Sequence, residues 1–328
     1  MQPCACKEKM RPRISRLSHA ILCYQLSPDG RLSVTLKQGY CLKSGNKLPV
    51  NLLAIPPVAL SSSKAAGILL INEGPGPVRS KALYTQGDRD LQQMASMTKI
   101  LTAMVLADLK PDLTTLLTRT DADSALGSGA NLNVSESISV NDAFYNLMLP
   151  SSNVTANMIA RIWGGKLLQA EGITDYTDRQ ALVRWVRQMN AKCRSIGMGS
   201  ALFTTPSGLG NNHASVIGAL KMVARATRYP MIMRSWKTQN YRLKVFGDTP
   251  RIETISNTNN LLFSDLEVIG GKTGTLAPIY NLACVVSMPN NQLLLVVTLG
   301  AERAEDRFTD CKAMIDAVKV QYQTPKAS

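Results

Sequence analysis

Histidine is nearly absent from this chain of 328 residues: His19 and His213 are the only two. Paired-histidine zinc chemistry is thereby excluded, and a Ser-His-Asp hydrolase would have to rest on His213. The surrounding "GLGNNHAS" reads as a loop entering a helix, which makes His213 a structural or cleft-edge residue. Aromatic residues make up only 5% of the chain, and no aromatic-studded strand of the RNA-binding kind appears. Cysteines number seven, and four of them (Cys4, Cys6, Cys23, Cys41) precede residue 45. Cys4-x-Cys6 is too short for the common zinc spacings, while Cys193, Cys284 and Cys311 are isolated and read as small core residues. No disulfide framework is indicated. There is no run of eighteen apolar residues, hence no expected transmembrane helix. The pattern G-x-x-x-x-G-K is also missing, so Gly208 in "TTPSGLG" is read as shaping a loop and not a phosphate site.

Acidic residues are scarce too, 23 against 37 basic, for a formal net charge of +14. The basic residues are scattered, without a nucleic-acid-binding motif, so no nucleic-acid partner is expected. An anionic polymer or surface suits the surplus better. Within the first 60 residues, nine basic side chains (Lys7, Lys9, Arg11, Arg13, Arg16, Arg31, Lys37, Lys43, Lys47) face only Glu8 and Asp29. That segment reads as an extension or leader without sustained periodicity. "LPVNLLAIPPVALSSS", Leu48 to Ser63, has the basic approach, short apolar stretch and small residues of an export signal. It also contains Asn51, Pro56 and Pro57 and lies far from Met1. If the segment is removed, a mature start near Ser61 to Gly67 is expected.

From Ala65 the pattern tightens. "AAGILLIN" reads as a buried strand and "SKALYTQ" as its hairpin partner. A helix follows through "MASMTKILTAMVLAD" and ends before Pro111. Residues 112 to 135 are polar and turn-rich. "SVNDAFYNLMLP" is a helix with Ser139 as N-cap and Asp142 in its first turn. "NVTANMIARIWG" and "TDRQALVRWVRQMNAKCRSIGM" have helical spacing, the latter capped by Thr177. "HASVIGALKMVARATRYP" is a further helix, stopped by Pro230. Strands return in "LEVIGGKTGT", "NLACVVSM" and "NQLLLVVTLGA", the last two joined by a turn at "MPNNQ". An amphipathic helix closes the chain from about Ala304 to Val320. Two early and three late strands around a helical block predict an α+β fold: an antiparallel sheet built from both chain ends, flanking helices, and an inserted helical lobe at about 110–250. A cleft is expected where sheet and lobe meet. The domain so defined spans 61–322, with 323–328 as a tail.

Three short motifs carry chemistry. Ser96 and Lys99 form S-x-x-K, and residues three apart share a helix face. A serine at a helix start lies beside unpaired N–H groups that favour an oxyanion. Lys99 sits among Met97, Ile100, Leu101 and Met104, where desolvation lowers an amine's pKa and suits it to act as a base. Ser151 and Asn153 form S-x-N directly after Pro150, a sequence that could equally cap a helix. Lys272, Thr273 and Gly274 form K-T-G on a strand, followed by Thr275. There a glycine lets a substrate backbone come close, though a basic turn beside a strand would read alike. Ser151 lies 55 residues after Ser96, and Lys272 another 121 further on. It is their joint occurrence in this order that carries the signal.

The order S-x-x-K, S-x-N, K-T-G resembles the penicillin-binding proteins and class A β-lactamases. Longer stretches, "GSGANLNVSESISVNDAFYNLMLPSSN", "MNAKCRSIGMGSALFTTPSGL", "ISNTNNLLFSDLEVIGGKTGT" and "LLVVTLGAERAEDRFTDCKAMID", resemble the low-molecular-weight D-alanyl-D-alanine carboxypeptidases, serine peptidase family S11. The likeness covers about Ala65 to Val320. It implies a β-lactamase/transpeptidase-like fold and a penicillin-sensitive enzyme acting on the D-Ala–D-Ala end of the peptidoglycan pentapeptide. It also implies β-lactam antibiotics as covalent inhibitors, no metal or cofactor, and a periplasmic, secreted or wall-associated location. The implied catalytic residues are Ser96, Lys99, Ser151, Asn153 and Lys272. Ser96 is the acylated nucleophile and Lys99 its base; Ser151 and Lys272 relay the proton, and Asn153 holds Lys99 and the substrate amide. The backbone N–H groups of Ser96 and Thr275 form the oxyanion hole. Thr273 and Thr275, with Lys272, meet the substrate carboxylate, and Gly274 lines the substrate strand.

The chain departs from the family in residues 1–60, in "LAPIYN" after K-T-G-T, and in ending soon after its last helix. These departures leave D,D-endopeptidase action on cross-linked peptides as an alternative. A class A-like β-lactamase would need a glutamate in the loop after S-x-N, where Glu171 is the only glutamate before Glu253 and sits in an unrelated context. A catalytically silent peptidoglycan-binding module is the non-enzymatic alternative.

Overall fold

The computed structural model describes residues 22–26, 32–36, 55–74 and 77–323. The chain divides into two units, Met1–Leu48 and Pro49–Ser328. In the first, β1 (Leu22–Leu26) and β2 (Leu32–Leu36) pair antiparallel. Cys4, Cys6 and Cys41 lie outside the described residues.

Within the second unit the described residues begin at Ile55. Ile55 is buried, and its N–H donates to the Leu83 carbonyl. Ser61, Ser62 and Ser63 hydrogen-bond Asp310 and Asp306. A mature start between Ser61 and Gly67 would cut through these contacts and into the first strand of the sheet.

Strand β3 (Ala65–Asn72) pairs with β4 (Ser80–Gln86). Next come β5 (Gln92–Gln93), a short 3-10 helix at Ala95–Met97 and α1 (Thr98–Asp108). Residues 112–135 hold β6 (Leu116–Thr118), which pairs with β7 (Ser137–Ser139). Helices α2 (Val140–Met148), α3 (Asn153–Ala170) and α4 (Asp178–Ser195) follow. Ser139 caps α2 by accepting from the Asp142 N–H, and Thr177 caps α4 by accepting from the Gln180 N–H.

β8 (His213–Ala214) pairs with β5, and α5 (Val216–Ala226) lies against β3 and β13. α5 therefore flanks the sheet instead of belonging wholly to the lobe. Pro230 does more than stop it: as first residue it opens a separate helix, α6 (Pro230–Lys237). The sequence reading also lacked the hairpin of β9 (Asn240–Val245) and β10 (Arg251–Ser256). The chain ends through β11 (Val268–Leu276), β12 (Ile279–Met288), β13 (Gln292–Ala301) and α7 (Asp306–Gln323).

The main sheet is antiparallel with strand order β11-β12-β13-β3-β4, so it is assembled from both chain ends. Its central strand β13 is buried along its whole length, and alternate residues serve two cores. Leu293, Leu295, Val297 and Leu299 face α5 and the lobe. Leu294 and Val296 face α7, joined by Cys284, Phe308, Cys311 and Met314. Helix α1 is buried on nearly all sides at the centre of the lobe, as a helix must be when its polar residues are few. Pro289, Asn290 and Asn291 join β12 to β13, and both asparagines take the left-handed conformation that this residue tolerates. "LAPIYN" forms a tight hairpin: Leu276 pairs with Ile279 around a cis Ala277–Pro278 bond.

Candidate active site

The segment before α1 is held from three directions. The Met94 N–H donates to the Asn212 carbonyl, the Asn212 side chain donates to Thr98 Oγ1 at 2.9 Å, and Gly274 packs against the Met94 carbonyl. Ala95 takes a left-handed φ of +45°, which costs roughly 1–2 kcal/mol for a residue with a Cβ. Gly208 lies against it, and a Cβ there would come within 2.0 Å of the Ala95 carbonyl oxygen. This strained turn places Ser96 as the second residue of the 3-10 helix. The first internal bond of that helix is donated by Met97, so the Ser96 N–H precedes the hydrogen-bonded ladder.

Lys99 is fully buried, and its Nζ has three partners: Ser96 Oγ at 2.8 Å, Asn153 Oδ1 at 2.7 Å and the Ser207 carbonyl at 2.7 Å. Two of these can only accept. The Asn153 amide is oriented by its own Nδ2, which donates to the Leu126 carbonyl at 2.7 Å. A neutral amine offers two N–H donors and one lone pair. It would satisfy both carbonyl oxygens and still accept a proton from the one partner able to give it, the Ser96 hydroxyl. Burial, with the charge of Lys272 second, holds the Lys99 pKa well below the ordinary lysine value.

The S-x-N loop divides structural and chemical duties between adjacent serines. Ser152, and not Ser151, caps α3: its Oγ accepts from the Thr155 N–H and donates to the Gly129 carbonyl at 2.7 Å. Gly129 is required there, since a Cβ would lie 2.4 Å from Ser152 Cα. Anchored so, the chain holds Ser151 at a left-handed φ of +66°, with its Oγ buried and without a hydrogen bond. An unpartnered buried hydroxyl costs about 1–3 kcal/mol. Backbone strain at one serine is what a functional site retains.

Strand β11 brings the third motif. Lys272 is buried, and its Nζ donates to the Thr273 carbonyl at 3.0 Å. Burial, then the charge of Arg307, lowers its pKa to about 7. Thr273 Oγ1 and Thr258 Oγ1 share a 2.6 Å hydrogen bond, which leaves one O–H of the pair free to donate elsewhere. The close approach that Gly274 permits is that of the Met94 carbonyl, 2.9 Å from where a Cβ would sit. The glycine thus seats the strand against the nucleophile segment. At the strand end, Arg307 of α7 donates to Thr275 Oγ1 at 2.8 Å and to the Gly274 carbonyl at 3.1 Å.

The structure therefore joins Ser96, Lys99 and Asn153 in one hydrogen-bonded cluster. Lys272 is coupled to that cluster by charge, and neither Lys272 nor Ser151 is bonded to it. Arg307 and the Ser207 carbonyl are site members that sequence reasoning missed, although both lie in stretches quoted for the resemblance. His213 is half-buried in β8, paired with Gln93 and Leu202. Glu171 ends α3 and pairs with Arg184 at 2.7 Å, so it offers no base for a lactamase-type water.

Comparisons with known proteins give the family and the fold. The family model for D-alanyl-D-alanine carboxypeptidase, peptidase family S11, matches residues 62–303. A D-alanyl-D-alanine carboxypeptidase from a Streptomyces species is 28% identical over 222 residues, covering 64% of this chain and 72% of its own length. A D-alanyl-D-alanine endopeptidase from Escherichia coli is 24% identical over 266 residues, covering 76% and 80%. The crystal structure of a Streptomyces DD-transpeptidase superposes with a TM-score of 0.69 at 24% identity, covering 80% of this chain and all of its own, and so shares the fold.

Proposed function

The chain belongs to the D-alanyl-D-alanine carboxypeptidase family of serine peptidases, and from that premise we propose that it removes the terminal D-alanine of peptidoglycan stem peptides through an acyl-enzyme on Ser96. The observation that carries the reading is the cradle of Lys99, whose one proton-giving partner is the Ser96 hydroxyl.

In this mechanism neutral Lys99 takes the Ser96 proton as Oγ attacks the carbonyl carbon of the penultimate D-alanine. The oxyanion is met by the N–H groups of Ser96 and Thr275. As the peptide C–N bond breaks, the proton passes by way of Ser151 and Lys272 to the departing amine, leaving an ester on Ser96. Water then hydrolyses the ester and restores the hydroxyl. The terminal carboxylate is recognised by Lys272, the threonine hydroxyls and Arg307. A guanidinium already held beside Thr275 Oγ1 suits that role, because its fork matches a carboxylate. Asn153 keeps Lys99 in place and binds the substrate amide. A β-lactam would acylate Ser96 by the same attack, with ring opening in place of amine departure.

Peptidoglycan lies outside the cytoplasmic membrane, so the enzyme is placed there, and its positive charge suits an anionic wall. Among the described residues no helix is long and apolar enough to cross a membrane. The Escherichia coli endopeptidase relative, matched over 80% of its length, favours a second reading, cleavage of D,D-cross-links by the same chemistry. The discriminating experiment offers purified enzyme a D-Ala–D-Ala pentapeptide and a cross-linked dimer. Free D-alanine from the pentapeptide, with the dimer left intact, supports the carboxypeptidase. Dimer cleavage without D-alanine release overturns it in favour of the endopeptidase.

A further inference from the structure

We propose that Thr258 is a further substrate-binding residue: its hydroxyl donates to the terminal carboxylate, as the outer end of a hydrogen-bonded chain running from Lys272 through Thr273. The inference rests on the function proposed above and adds to it a residue outside the three motifs.

The sequence around Thr258 fixes where it stands. Its neighbours Asn257 and Asn259 are both buried, while Thr258 itself is exposed. The asparagines anchor the segment from within. Asn257 Nδ2 donates to the Thr238 carbonyl at 3.1 Å, and Asn257 Oδ1 accepts from the Asn259 N–H at 3.0 Å. The Thr258 N–H donates to the carbonyl of Leu149, two residues before Ser151. Its Oγ1 lies 2.6 Å from Thr273 Oγ1. Thr258 is thus tied by its backbone to the S-x-N loop and by its side chain to the K-T-G strand.

Counting hydrogens gives the chain a direction. A charged Lys272 can only donate, and Thr273 Oγ1 accepts from its Nζ at 3.5 Å. Each threonine hydroxyl carries one hydrogen, and the bond between them uses one of the two. Thr273 is only 4% exposed, so a hydrogen left on its hydroxyl has little room to meet a ligand, whereas Thr258 is open. The spare hydrogen therefore belongs to Thr258: Lys272 donates to Thr273, Thr273 to Thr258, and Thr258 to what enters. A hydroxyl polarised by an ammonium through a second hydroxyl is a stronger donor than one alone. Its matching partner is an anionic oxygen. Thr275 repeats the arrangement. It shares a strand face with Thr273, is exposed, and accepts from Arg307 at 2.8 Å, which leaves its own hydrogen free. Two exposed hydroxyls, each backed by a buried cation, suit the two oxygens of one carboxylate.

The test uses the full chain with Ser96→Ala, so that nothing is turned over, and follows two ligands by ligand-observed NMR. One is a pentapeptide ending in D-Ala–D-Ala. The other has an ethylamide in place of the terminal D-alanine, which deletes the carboxylate alone. The parent should bind the carboxylate form more tightly. Thr258→Val keeps the branched shape without the hydroxyl; it should weaken that form about tenfold and leave the ethylamide unchanged. Thr258→Ser supplies a hydroxyl again and should recover most of the loss. Unchanged thermal melting would establish that the variants are folded, as expected at an exposed position. Equal weakening of both ligands would mean that Thr258 only shapes the cleft, and overturns the proposal. So does an unaffected carboxylate form, no recovery with serine, equal affinities in the parent, or no binding of either ligand. Benzylpenicillin labelling of protein with Ser96 intact reports separately on the catalytic reading. Carboxylate binding that depends on Thr258, without labelling, would leave this site standing and the acyl-enzyme in default; labelling without that dependence would do the reverse.

Discussion

Lys99 Nζ and Ser96 Oγ lie 2.8 Å apart in a fully buried cradle whose other two partners, Asn153 Oδ1 and the Ser207 carbonyl, can only accept hydrogen bonds. The relation is asymmetric. Only the serine can give the amine a proton, and only a neutral amine can take it. Replacing Lys99 with arginine keeps a cation there and removes the base. Acylation by a β-lactam should slow by at least about 100-fold, the lower end of what a positioned base supplies. Stopped-flow acylation rates of Lys99→Arg would check this, and near-normal rates would contradict it.

Lys272 has the opposite requirement. It must be charged to hold the substrate carboxylate, yet burial and Arg307 bring its pKa to about 7. The rate should rise with pH as Lys99 loses its proton and fall as Lys272 loses its own near pH 7. Lys272→Arg stays charged throughout. Its falling limb should disappear from the kcat/KM profile, with a smaller loss of acylation rate than in Lys99→Arg. A profile that keeps the same falling limb in this variant would assign the limb to another group.

The turn before the nucleophile depends on a missing side chain. Gly208→Ala puts a methyl into the Ala95 carbonyl at a φ of +99°. Displacing Ser96 by about an ångström should cost on the order of 100-fold in acylation. Gly172→Ala carries similar backbone strain at φ +81° with open space around it, and should leave the rate unchanged. Equal acylation by the two variants would show that the turn does not set the nucleophile's position.

Below the S-x-N loop, Asp123 is fully buried and takes both Arg161 Nε and Nη2 at 2.8 Å. Asp123→Ala would leave Arg161 uncompensated and should destabilise the protein by about 3 kcal/mol. Arg161→Met added to it should restore part of the loss. Urea denaturation of the single and double variants measures both quantities, and additive losses would mean that the pair is not coupled.

Much of this site was legible because its motifs are side-chain patterns on regular elements. Ser96 and Lys99 share a helix face by spacing alone, and the five-stranded sheet could be read from buried runs such as "QLLLVVTLGA". What escaped has physical reasons. The third partner of Lys99 is the Ser207 carbonyl, and a backbone acceptor has no residue signature. Arg307 reaches Thr275 from 32 residues away, across a contact that exists only once α7 packs on the sheet. Proline stops one helix and opens another equally well, so Pro230 hid α6. Ser151 and Ser152 are identical in type, and only the cap geometry tells which is anchored and which is strained.

The most direct test is to react the protein with benzylpenicillin and map the adduct by peptide mass spectrometry, alongside Ser96→Ala. A single adduct on the peptide containing Ser96, absent from a folded Ser96→Ala protein, is the predicted result. An adduct on any other residue, or labelling that persists in Ser96→Ala, would contradict the assignment of Ser96 as the nucleophile.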